Sequence, residues 1–184
     1  MFPLNIIAIF VLLLVPSAIF GAELRTGELI RENDRRFIEI SVTGYQEGDI
    51  LEAVKRGIEA KITYTVQIVK ESRLDFAYTS VVRTMHVHRS LKFDFWSRSY
   101  VISEKGVKNT FHNERAMLDA FFTVRRWEIP FNDLIAGHQY RLRARAELTS
   151  VELYFPMNLI FKYIVGYWDF DTGWIRGSSF IAQP

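Results

Sequence analysis

The alternation of apolar and polar side chains is strongest from Ile58 to Val69. Ile58, Ala60, Ile62, Tyr64, Val66 and Ile68 share one parity, and Glu59, Lys61, Thr63, Thr65, Gln67 and Val69 take the other. Successive side chains of a strand point to opposite faces, so a period of two predicts a long antiparallel strand with one dry and one wet face. A second long strand is predicted from Val81 to Phe95. Met85, Val87, Leu91, Phe93 and Phe95 lie on its apolar parity, which Arg83 and Arg89 interrupt, and Thr84, His86, His88, Ser90, Lys92 and Asp94 lie on the other. From Gln139 to Leu148, Tyr140, Leu142, Ala144, Ala146 and Leu148 alternate with Gln139, Arg141, Arg143, Arg145 and Glu147. Shorter strands are predicted over Phe37–Thr43, over Ser99–Ser103 and Val107–Phe111, joined through Glu104-Lys105-Gly106, and over Tyr167–Trp174.

Two segments break the period of two. Ile50 to Arg56 reads as a short helix, with Asp49 as its cap, an Ile50/Leu51/Val54 stripe, and Lys55-Arg56 at its negative end before Gly57. Asn113 caps a second helix from Glu114 to Val124, with Met117, Leu118, Phe121 and Phe122 on or near one face. Strands dominate, so the expected fold is mainly β: an antiparallel β-sandwich-like domain with two short helices. The alternative is an α+β arrangement with the helices on one face of an antiparallel sheet.

Residues Met1 to Ala22 carry no charged side chain, and the apolar stretch Ile6–Val15 is followed by Pro16 and the small residues Ser17, Ala18, Gly21 and Ala22. This reads as a secretory signal. It is also long enough for a signal-anchor, since roughly 20 apolar residues span a bilayer. Either way the body is expected to be exported, to the periplasm or to the periplasmic face of an inner membrane. Residues 23–36 are charge-rich and contain Gly27, Asn33 and Asp34, which suggests a tether, with one mostly-β domain over 37–184.

The 184 residues are 49% hydrophobic and 15% aromatic, enough apolar material to exclude a mainly disordered chain. The absence of cysteine excludes disulfide scaffolds, thiolate–zinc sites and cysteine nucleophiles. The formal net charge of +2, with no long Lys/Arg block, disfavours nucleic acid as a partner. The first part of the body is slightly acidic and the second basic.

The order of these features resembles a known group. A short helix ends in Lys55-Arg56-Gly57, a long alternating strand follows, and Ser99-Tyr100-Val101 sits in a later strand. Then come Glu114-Arg115-Ala116 opening a helix, the strand Arg141–Leu148, Pro156, and Trp168 and Trp174. From Phe37 to Trp174 the chain resembles a bacterial family of small exported proteins of unknown function, often encoded beside nitrogen-regulation-type sensor histidine kinases. The resemblance implies an accessory role in the envelope, with a membrane protein such as a sensor kinase as partner. It implies no catalytic residues.

Candidate chemistry is sparse. His86 and His88, at i and i+2 on a strand, share a face on which two imidazoles can approach one metal ion, with His112, His138 or a carboxylate such as Asp94 as candidate further ligands; a solvated strand face is the favoured reading. Asp171-Thr172-Gly173 matches the aspartic-protease tripeptide without the paired carboxylate that chemistry needs, and reads as a tight turn. Arg141, Arg143 and Arg145 form a ladder suited to phosphates, acidic headgroups or an acidic partner, or else to cross-strand pairing. With Trp168 and Trp174 they are the candidate ligand- or partner-binding residues. The aromatic positions are expected in the core; the competing expectation is an apolar cavity for a lipid-like ligand. No catalytic constellation and no cofactor motif is present, so the expected function is a non-enzymatic envelope domain that binds a protein or serves signalling. The alternative is a carrier or sensor of a hydrophobic ligand.

Overall fold

The computed structural model describes residues 21–33, 35–71, 80–150 and 168–182. Among them two antiparallel sheets and two helices share one core, so the fold is mainly β and sandwich-like. The large sheet contains β4 (Ala60–Lys70), β5 (Ser80–Asp94), β6 (Ser99–Glu104), β7 (Val107–Phe111), β9 (Gln139–Ser150), β10 (Phe170–Asp171) and β11 (Ile175–Ile181). Its order is β9-β4-β5-β6-β7, with β10 and β11 paired end to end along the outer edge of β9. In the small sheet the central strand is β3 (Arg35–Thr43). Strand β1 (Glu23–Thr26) pairs with its last four residues and β2 (Ile30–Glu32) with its first three, while β8 (Thr123–Glu128) lies along its opposite edge.

The parity read from the sequence determines what is buried. Ala60, Ile62, Tyr64, Val66 and Ile68 of β4, and Tyr140, Leu142, Ala144, Ala146 and Leu148 of β9, are all 0–1% exposed. Over these inner faces lie α1 (Glu47–Lys55) and α2 (Glu114–Phe122), which bury Ile50, Ala53 and Val54, and Met117, Leu118, Phe121 and Phe122, respectively. Ile38, Ile40 and Val42 of β3 join the same core. Asn113 Oδ1 accepts from Ala116 N at 2.9 Å, the expected cap of α2. Lys105 and Gly106, with φ of 48° and 84°, make the two-residue turn between β6 and β7, where primed turns need positive φ.

Arg89, which interrupts the apolar parity of β5, does face inward. Its side chain is 11% exposed, and its guanidinium donates to the carbonyl oxygens of Ala120 and Thr123, both at 2.7 Å, and to Glu104 Oε2 at 2.6 Å. A cation at a helix C-terminus meets the negative end of the macrodipole and the unsatisfied carbonyls. The hydroxyl of Tyr64 donates to the Phe121 carbonyl at 3.2 Å, so β4 and β5 together close the end of α2. Burial raises the Tyr64 phenol well above the ordinary tyrosine range, which keeps it a neutral donor.

Several expectations need correction. The charged segment 23–36 is not a tether: it holds β1, β2 and the start of β3, because Leu24 is buried while its charged neighbours face out, the alternation of an edge strand. Asp49 lies within the first turn of α1, where Gln46 occupies the cap without a side-chain bond. The second helix stops at Phe122, and the next residues form β8, with β-branched Thr123 and Val124 pairing with Ser41 and Ile40. Of the last predicted strand Tyr167 lies outside the described residues and the described part holds the two-residue β10, while the longer β11 follows Trp174. Phe95, assigned to the buried parity, is 59% exposed because β5 ends at Asp94 and the chain turns away. Residues 1–20, Pro156 and the apolar run 159–165 lie outside the described residues.

Candidate interaction face of the large sheet

The outward parity of β9, β4 and β5 builds one polar surface. Residues across the strands register in rows: Glu147–Thr63–His88, Arg145–Thr65–His86 and Arg143–Gln67–Thr84. Each row is bonded across the strands. Thr63 Oγ1 meets His88 Nδ1 at 3.0 Å and Thr65 Oγ1 meets His86 Nδ1 at 3.1 Å, while the amide of Gln67 donates to Thr84 Oγ1 at 3.1 Å.

The arginine ladder lies along one edge of this lattice, and all three guanidinium groups bond within the protein. Arg141 donates to Ser179 Oγ at 2.9 Å and pairs with Glu71 at 2.5 Å. Arg143 donates to Gln67 Oε1 at 2.7 Å and lies over the Trp174 ring, 4.6 Å from its centroid. Arg145 makes a two-pronged contact with Asp171 at 2.8 and 2.5 Å and a third bond to Glu147 at 2.7 Å. The Arg145 guanidinium holds the Asp171 carboxyl below its ordinary range, so Asp171 stands as an ionised partner of that arginine. Its turn is tight: Gly173 has φ 65° and donates to Asp171 Oδ1 at 2.9 Å, while Thr172 Oγ1 accepts from Ala146 N at 3.0 Å.

Of the two tryptophans singled out from the sequence, Trp174 reaches the surface at 41% exposure and Trp168 does not, at 5%. Trp168 belongs to the core, because its indole belongs to the cluster that the inner faces of the sheet help build. His86 and His88 stack with ring centroids 5.9 Å apart and planes only 14° from parallel. Convergence on one zinc ion would bring a nitrogen of each ring to about 2.0–2.1 Å from the metal. Among the described residues no group of three or more His, Cys, Asp or Glu side chains could hold a metal ion.

Sequence reasoning missed two features. Arg89 registered only as a defect in the alternation, although a lone cation on an apolar parity opposite a helix end is the signal of a buried cap. Trp96 was missed altogether. It is 97% exposed at the tip of the β5–β6 hairpin, beside Phe95. The signal was an aromatic pair followed by Ser97-Arg98-Ser99, a turn composition placed between two strands.

A mainly antiparallel β domain with a buried apolar core and a hydrogen-bonded polar face is the class of protein these features define. Residues 21–177 match the family model described as Domain of unknown function (DUF4390), and the chain belongs to that family. Comparison with curated proteins and with solved structures finds no match. Among the described residues no helix is long and apolar enough to cross a membrane.

Proposed function

We propose that this chain is an exported, non-catalytic domain of the bacterial envelope that binds a membrane protein, such as the sensory part of a histidine kinase, through the outer face of its large sheet. The observation that carries the reading is the fixed geometry of that face. Arg141, Arg143, Arg145, His86 and His88 are each tied to a neighbouring side chain, and Trp174 is stacked beside them. Side chains already ordered on a rigid sheet lose little conformational entropy on docking, and an arginine beside a tryptophan is a common anchor of protein interfaces. The uncharged segment Met1–Ala22 supports export.

A lipid-like ligand carried between the sheets has less support. The inner faces that would line such a cavity are 0–1% exposed on β4 and β9 and belong to one hydrophobic core. Crosslinking in cells followed by mass spectrometry tests the proposal. The expected product is this chain joined to a membrane protein. Recovery of monomer alone, together with unchanged kinase output on deleting the chain, would overturn it.

A further inference from the structure

The end of the large sheet that carries Trp96 is also the end toward which Gly21, the first described residue, lies. The carbonyl oxygen of Gly21 lies against Gly44, so close that a Cβ there would stand 3.1 Å away. From Gly44 the chain leads to Tyr45, whose ring stacks on Phe122 at 3.8 Å, and Phe122 lies 6.4 Å from Phe170. Phe170 pairs with Leu148, which pairs with Ile62; two residues further along, Ala60 pairs with Leu91 at the base of the β5–β6 hairpin. Gly21 and the hairpin tip therefore occupy the same end, a few strands apart.

We propose that this end faces a lipid bilayer and that Trp96, with Phe95 beside it, seats in the headgroup region. The proposal rests on the reading of the chain as exported, and adds where the membrane lies. An indole at 97% exposure next to a phenyl ring at 59% is costly to leave in water, and tryptophan suits the boundary between headgroups and hydrocarbon. The tip is built to hold this position. Asp94 Oδ1 accepts from Trp96 N at 2.9 Å and from Ser97 N at 3.4 Å, the Ser97 and Ser99 hydroxyls meet at 2.6 Å, and Arg98 closes the turn at φ 48°. Exposed Arg98 stands on the tip, and Lys55 and Arg56 end the helix beside Gly57, where a Cβ would touch the Phe95 ring at 3.6 Å. Lys55 pairs with Glu114 and Arg56 with Glu52, so exposed Arg98 is the cation on the tip placed to meet an anionic headgroup.

The chain outside the described residues supports the same occupant. Residues 1–20 carry no charge and precede Gly21 in the sequence, and β1 begins at Glu23. The two residues between them span at most about 7 Å when extended. A bilayer holding the uncharged segment would thus lie against the surface from which Trp96 projects.

The test uses the full chain incorporated into unilamellar vesicles of phosphatidylethanolamine and phosphatidylglycerol, with and without lipids brominated near the headgroup. Fluorescence of the wild type is compared with that of Trp96→Phe, so that Trp127, Trp168 and Trp174 cancel. Bromine is expected to quench a component present in the wild type and missing from the variant, and that component should resist iodide added outside. Equal quenching of the two proteins overturns the proposal. So does protection of Trp96 from iodide without quenching by bromine, the result expected of contact between copies of the chain. Because the vesicles contain no other protein, either failure leaves the partner-binding reading to its own test.

Discussion

The two faces of β5 carry the same kinds of residue to opposite ends. On the inner face, Arg89 is sealed beneath α2 and makes its bonds to backbone carbonyls and to Glu104. On the outer face, His86 and His88 bond to the threonines of β4, and one strand beyond, Arg141, Arg143 and Arg145 continue the same surface. A buried cation that satisfies a helix end is part of the fold, and removing it leaves carbonyls and a carboxylate without a partner in a place water reaches poorly. A half-exposed cation in a cross-strand pair exchanges its partner for water at small cost. The arginine that violates the pattern holds the fold, and those that obey it form a surface.

That contrast can be broken by mutation. Phe121→Ala, at a fully buried position, should cost about 3–5 kcal/mol in urea unfolding. Arg89→Ala should approach it, also at about 3–5 kcal/mol, because Glu104 and the end of α2 lose their common partner; a loss no greater than that of Arg143→Ala would remove the distinction between the faces. Next comes Asn113→Ala, which deletes the cap of α2 and should cost about 1 kcal/mol. Replacing any one ladder arginine with alanine should shift the urea midpoint least of all.

Acid sharpens the same comparison. The Arg145 guanidinium holds Asp171 below its ordinary range, and Lys55 and the Tyr100 hydroxyl do the same for Glu114. A carboxyl with a folded-state pKa below its unfolded value contributes stability that is full above the unfolded value and lost as pH falls through the folded one. The urea midpoint should therefore decline below the ordinary carboxylate range, and Asp171→Asn should flatten part of that decline. An unchanged slope in the variant would mean that the Arg145–Asp171 pair adds nothing.

The long strands were legible because each has one face in the core, so that alternation is enforced along its whole length. For the same reason Ala60–Lys70 and Gln139–Ser150 fall within a residue or two of their expected bounds. The β1 and β2 segments were not legible: they pair along the edge of a narrow sheet and bury a single residue, Leu24, so their composition resembles that of a loop. Strand β8 was hidden because it begins directly after a helix whose apolar spacing Val124 continues. The surface was half legible. The arginines and histidines could be assigned to one face by parity, but their partners Asp171, Glu71 and Gln67 come from other strands and connections whose register no local pattern reveals. Trp96 was hidden for the opposite reason, since aromatic residues at the end of a strand normally continue into the core.

The most direct measurement of the central claim places a photo-crosslinking amino acid at either of two exposed positions of the full chain in living cells. One is His86, in the middle of the outer sheet face, and the other is Lys108, on the far edge strand β7. The account predicts a discrete adduct with a membrane protein from position 86 and none from position 108. An adduct from position 108 alone, or from neither, would contradict it.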